Sequence, residues 1–199
     1  MRSIGLVAAA CATLFCVSIN AQETRETGRT WGIAQLMLSM AQVKTASGRF
    51  EERKSLQMLR EPLVASGTLL YVAPDQVQKI TLLPRREGFK ISGDQLTIEG
   101  GPEDQDRSLS LSDYPEIAGI VEGVRATLAG DLPTLTHFYS SQLEGDAAHW
   151  RLTLRPAEPK VQQFVKWIRI TGSGNAIHSV ETEDADGDHS EMSIVEDVR

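Results

Sequence analysis

Cysteine is scarce in this 199-residue sequence, and both cysteines, Cys11 and Cys16, stand within its first 21 residues. A chain cleaved after Ala21 has no disulfide and no thiolate metal ligand, so its stability must come from a hydrophobic core. Positive charge is also short, with 20 Lys and Arg against 27 Asp and Glu and a formal net charge of −7. That balance disfavours general electrostatic binding to nucleic acid or to an anionic lipid surface. Beyond Val17 no apolar run approaches the roughly 20 residues a membrane-spanning helix needs. Catalytic signatures are missing as well. There is no serine in a G-x-S-x-G elbow, no histidine pair at the i, i+4 spacing of a zinc helix, and no glycine-rich loop leading from strand to helix. The four histidines, His137, His149, His178 and His189, are scattered. No enzyme activity, catalytic residue, metal site or cofactor is expected.

What is there begins with export. Arg2 is followed by an uncharged apolar stretch from Ile4 to Val17, then Ser18-Ile19-Asn20-Ala21 before the polar Gln22-Glu23. This is the order of a secretory signal peptide, so residues 1–21 are expected to be removed and 22–199 to work as one domain in a periplasm. A lipidated cysteine, the minor alternative, would need small residues before it: Phe15 precedes Cys16, and Ala9-Ala10 before Cys11 would leave a very short apolar segment.

Ile33, Leu36, Met37, Met40 and Val43 recur at helical spacing, as do Ile117, Ile120, Val121, Val124 and Leu128. Asp113 and Pro115 suit the start of the second helix, and Gly130 suits its end. Between them, stretches 49–56, 67–72, 77–83, 88–92, 95–99 and 107–111 alternate as strands, with Gly93-Asp94 a two-residue hairpin signal. Strands 150–155, 165–170, 176–182 and 189–195 follow. Asp184-Ala185-Asp186-Gly187-Asp188 spaces its carboxylates as a calcium loop does, but its glycine and its twelfth position are misplaced, so it reads as an acidic hairpin turn. Antiparallel strands with two helices inserted imply an α+β fold, a curved sheet with helices packed on one face.

Leu69, Tyr71, Ile80, Leu82, Phe89, Ile91, Leu96, Ile98, Trp150, Leu152, Trp167 and Ile168 could share one concave face. Leu36, Met40, Ile120, Val124 and Leu128 would close over it. Every domain needs an apolar core, so the periodicity alone leaves core and ligand cavity both open.

The order of segments resembles LolA, the periplasmic carrier of outer-membrane lipoproteins, and its LolA-like relatives. The resemblance rests on Ser47-Gly48-Arg49-Phe50-Glu51-Glu52 after the first helix and on Ser66-Gly67-Thr68-Leu69-Leu70-Tyr71-Val72-Ala73-Pro74-Asp75. It continues in Ile91-Ser92-Gly93-Asp94-Gln95-Leu96, in Trp150-Arg151-Leu152-Thr153-Leu154-Arg155-Pro156, and in 168–177 with its glycine turn. It implies a half-open antiparallel β-barrel lidded by helices around an apolar cavity that takes acyl chains. The implied cavity residues are Leu36, Met40, Leu69, Tyr71, Ile80, Leu82, Phe89, Ile91, Leu96, Ile98, Ile120, Val124 and Trp150. It implies a monomeric carrier of a lipoprotein or glycolipid, working between an inner-membrane exporter and an outer-membrane acceptor. The alternative it offers is a lipid-sensing regulatory binding protein. The chain departs from the family pattern at Ala73, where the family has its lid-latching arginine, and near Lys79, where it has a tryptophan.

Overall fold

The computed structural model describes residues 31–100 and 106–197; the expected signal peptide lies outside them. The described chain runs α1 (Ile33–Met40), β1 (Thr45–Ser55), β2 (Leu63–Val72), β3 (Gln76–Leu83), β4 (Glu87–Ser92), β5 (Gln95–Glu99) and β6 (Arg107–Ser110). A 3-10 turn (Leu111–Asp113), α2 (Pro115–Ala129) and α3 (Leu132–Phe138) follow, then β7 (Tyr139–Gly145), β8 (Trp150–Pro156), α4 (Pro159–Gln162), β9 (Val165–Ser173), β10 (Ala176–Asp184) and β11 (His189–Glu196).

All eleven strands form one antiparallel sheet in the order β6-β5-β4-β3-β2-β1-β11-β10-β9-β8-β7. It consists of two meanders, β1–β6 and β7–β11, joined where β1 pairs with β11 from Gly48↔Glu196 to Ser55↔His189. The two edges, β6 and β7, do not pair, so the curved sheet is an open barrel. The chain passes from one edge to the other through α2 and α3.

Local chemistry accounts for the helices. Gly130 ends α2 in the left-handed region at φ 68° and donates to Ala126 and Thr127. A Cβ there would stand 2.1 Å from the Met37 carbonyl oxygen, so the same glycine lets α1 meet the end of α2. Asp131 caps α3 by accepting from the Thr134 amide at 3.1 Å. On α2, Gly119 and Gly123 are one turn apart, and a Cβ at Gly123 would lie 2.3 Å from the Tyr139 ring. The helix therefore packs directly on that buried ring, whose hydroxyl donates to the Gly119 carbonyl at 3.1 Å. Burial pushes the Tyr139 phenol up to about 12. Gly123→Leu should accordingly lower the melting temperature by about 5 °C or more, the effect of roughly 2 kcal/mol of overpacking in a chain of this size. A melting curve superimposable on the wild type would show that α2 does not sit on Tyr139.

Two apolar clusters pack on the concave side. One joins Leu36, Met37 and Met40 of α1 and Leu135 of α3 to Trp150, Leu152, Leu154, Ile168 and Ile170 of β8 and β9. The other joins Val121 of α2 to Ile91, Leu96 and Leu111. The strand β7, the short helices α3 and α4, and the extension of β1 back to Thr45 are added to the expected architecture. The sequence pattern missed α3, α4 and β7. Tyr-Ser-Ser-Gln-Leu-Glu-Gly shows only Tyr139 and Leu143 as large apolar residues, because β7 is an edge strand.

Candidate functional site

Between the two clusters the concave face is not filled. Here a cavity of about 270 Å³ lies over the middle of the sheet. Its floor is β1, β2, β3, β10 and β11, contributing Ala46, Gly48, Leu69, Tyr71, Val77, Ile177, Val180, Met192 and Ile194. Met40, Val43, Val124 and Leu128 cover it from α1 and α2. Strand register explains the hollow. Leu69 pairs with Gly48, and Tyr71 with Ala46, so the two large side chains of β2 face small ones on β1. The size is just below that of small-molecule sites generally, and the lining is mostly apolar.

Of the residues the sequence nominated, Met40, Leu69, Tyr71, Phe89 and Val124 line this cavity. Leu36 and Trp150 belong to the first packed cluster, and Ile120 packs against it. Ile91 and Leu96 belong to the second. Ile80, Leu82 and Ile98 take no part. Leu69 pairs with Lys79 and Tyr71 with Val77, so alternation turns Ile80 and Leu82 to the convex side, and Leu82 is 46% exposed. Ile98 shares the face of Phe89 but stands near the end of β5, 37% exposed. Met192 and Ile194 were visible as alternate apolar positions of β11, but nothing in the sequence showed that β11 pairs with β1 and so reaches the cavity.

Lys79 is the charged residue that this register turns inward from β3. Its ammonium donates to Glu52 Oε2 at 2.5 Å and lies 4.8 Å from the centre of the Phe50 ring. Ser190 donates to the other Glu52 oxygen at 2.8 Å. Burial raises the Glu52 carboxyl, but the hydrogen bond and charge of Lys79, with Ser190 and Lys54, outweigh it and hold the group below the ordinary 4.5. A carboxylate depressed in the folded state adds stability above its unfolded pKa and loses it as the pH falls through the folded one. Glu52→Gln should cost about 2 kcal/mol at pH 7, and the gap from wild type should close as the pH falls below 4.5. Urea unfolding at a series of pH values would read this, and a pH-independent gap would contradict it.

At the opposite end, Arg125 of α2 reaches the barrel's turns. It donates to the Gly93 carbonyl at 3.0 Å, pairs with Glu122 at 2.9 Å and approaches Asp75 at 3.9 Å. The Tyr71 phenol is raised chiefly by burial, with Asp75 adding to the effect and Arg125 opposing it. The acidic run forms the turn between β10 and β11, where Asp184 and Asp188 pair through their backbones and the Gln57 amide donates to Asp188 at 2.8 Å.

A family model described as "Outer membrane lipoprotein carrier protein LolA-like" matches residues 27–195. No curated protein matches the sequence. Among solved structures, a LolA superfamily protein from Nitrosomonas europaea is 14% identical, with 83% of this chain and 93% of that one covered and a TM-score of 0.44. A putative outer membrane lipoprotein-sorting protein domain from Vibrio parahaemolyticus is 12% identical, with 84% and 90% covered and a TM-score of 0.47. In the Pseudomonas aeruginosa MucA/MucB complex, a chain 12% identical is matched over 80% of this chain and 53% of that one, with a TM-score of 0.43.

Proposed function

We propose, from the premise that this chain belongs to the LolA-like family of outer membrane lipoprotein carrier proteins, that it is a periplasmic carrier shielding acyl chains from water. The observation that carries this reading is the unfilled apolar space between two close-packed clusters. A core would be filled to crystal-like density, and a void of this size has a cost unless something enters it. Each methylene moved from water into such a space contributes about 0.8 kcal/mol, so one acyl chain supplies ample affinity. Met40, Leu69, Tyr71, Phe89 and Val124 contact the chain, with Met192 and Ile194 beside them. The methionines suit chains of varied shape, because their side chains adapt.

α1 and α2 form the cover, reaching the cavity through Met40, Val43, Val124 and Leu128. The cargo is a lipoprotein or glycolipid taken from an inner-membrane exporter and delivered to an outer-membrane acceptor. No cofactor and no chemical step are involved. Among the described residues no helix is long and apolar enough to cross a membrane. Residues 1–21 direct export, and N-terminal sequencing of the exported protein should begin at Gln22.

The carrier reading is tested by titrating the protein with a fluorescent fatty-acid analogue and by native mass spectrometry of protein purified from its own periplasm. Saturable binding at one site with a co-purifying acyl lipid is expected. Protein that arrives empty and binds no acyl probe would overturn the reading.

A further inference from the structure

One end of the sheet is apolar and the other is not. Strands β1, β3 and β10 run to the same end, where they turn into β2, β4 and β11. There the β1–β2 loop exposes Met58 and Leu59, the first residues of β2 expose Leu63 and Val64, and the end of β3 exposes Leu82 and Leu83. Register brings them together, because Ser66, two residues from Val64, pairs with Leu83. Met58 is 87% exposed and Leu83 63%. Phe164, half-exposed, stands at this end too, its carbonyl accepting from the Ala185 amide at 2.9 Å. The turns at the opposite end, Ala73-Pro74-Asp75, Gly93-Asp94, Asp146-Ala147-Ala148-His149 and Gly174-Asn175, carry no large apolar residue.

The β1–β2 loop is held in place. The Leu59 amide donates to the Leu56 carbonyl at 3.0 Å, and Gln57 ties the loop to the acidic turn through Asp188 at 2.8 Å and the Gly187 carbonyl at 3.2 Å. An ordered tip gives up little further freedom on docking. Clustered exposed apolar residues of this kind mark a contact surface. Because they project from separate turns, a fluid surface that moulds around them fits better than a rigid helix or strand. Each apolar pair is followed by arginine, in Met58-Leu59-Arg60 and in Leu82-Leu83-Pro84-Arg85-Arg86. Glu61 and Glu87 come next, and Asp184, Asp186 and Asp188 stand on the adjoining β10–β11 turn. The rim therefore carries both signs, as a zwitterionic head group does, with arginine for its phosphate and carboxylates for its ammonium.

We infer that this end of the barrel docks on a zwitterionic phospholipid surface, with Met58, Leu59 and Leu83 entering the acyl layer while Arg60 and Arg86 meet phosphates. Apolar insertion drives the contact, and the formal net charge of −7 works against an anionic surface. The docking does not depend on what fills the cavity, which lies over the middle of the sheet.

Sedimentation with vesicles of equal parts phosphatidylcholine and phosphatidylethanolamine tests this. Wild-type protein should pellet with them, and about 0.5 M salt should not release it, since apolar insertion is not screened. Met58→Asp and Leu83→Asp should each lower the partition coefficient about tenfold, and together about a hundredfold, the worth of two apolar side chains left in water. Met58→Leu should bind as wild type does. Both positions are exposed, so the melting temperature of the double variant should stay within about 2 °C of wild type. Its titration with a fluorescent fatty acid should be unchanged. Wild type that stays in the supernatant, binding released by salt, or binding that survives in the folded double variant would each overturn the docking and leave the carrier reading to the fatty-acid titration. Protein that ignores these vesicles yet pellets with native membranes would identify a membrane protein as the partner and overturn lipid docking too.

Discussion

Leu69→Asp should abolish acyl binding in a protein that still folds, whereas Leu96→Asp should leave no folded protein to assay. Leu69 is half-buried on β2 and faces the cavity, so water entering the empty space can solvate the new carboxylate, and the loss falls on the ligand. A chain packed against that charge would have to strip its hydration, which should reduce affinity by at least about a hundredfold. Leu96 is 8% exposed and packed with Ile91, Leu111 and Val121. A carboxylate there has neither water nor a cation, and the cost of several kcal/mol takes most of the stability of an ordinary domain. Circular dichroism with thermal melts, followed by titration with a fluorescent fatty acid, reads both variants. A folded Leu96→Asp that still bound the probe would show that the second cluster is not close-packed.

Gly67→Ala should be the most damaging single-methyl addition in the sheet. A Cβ built at Gly67 would lie 1.9 Å from the Ile80 carbonyl oxygen and 2.8 Å from its carbon. Those are backbone atoms in the adjoining strand, so no rotamer change relieves the clash. The ladder shifts register between Ser66 and Gly67, where Ser66 pairs with Leu83 but Gly67 with Thr81. The crowding arises at that bulge. Separating β2 from β3 there would also disturb Leu69 and Lys79 two residues further on. A loss of about 3 kcal/mol, read as a melting temperature lower by roughly 6–12 °C, is expected. A decrease of less than 2 °C would mean that the strands part easily at this point.

The contrast between Leu69 and Leu96 also measures what was legible beforehand. Both are apolar, both sit on alternating strands, and the sequence placed both at the cavity. Their fates differ because α2 lays Val121 on β4 and β5 but spans the middle of the sheet without filling it. That depends on where a helix between the two sheet edges comes to rest. Tyr71 was nominated as one apolar side chain among many, and the lack of a partner for its hydroxyl among the described residues became apparent only in the tertiary structure. Lys79 was noted as a departure from a family pattern, and its pairing with Glu52 requires β1 and β3 to flank β2.

The LolA-like resemblance rests on the order of segments along the whole chain. Within those segments the sequence determined most of the element types, the Gly93-Asp94 hairpin, the stop at Gly130 and the antiparallel class. All of these follow from residue spacings within a few turns or strands, where backbone geometry ties period to structure. Only the tertiary structure decided which parity of each strand faces inward, that β11 closes on β1, and which inward residues remain uncovered. A period of two states that a strand has two faces, and pairing with a neighbour states which is which. Ile80 and Leu82 looked like the inner residues of β3 because they are the more apolar. The register with β2 gave that face to Val77, Lys79 and Thr81, because pairing Tyr71 with Val77 and Leu69 with Lys79 fixes the side for every residue of the strand.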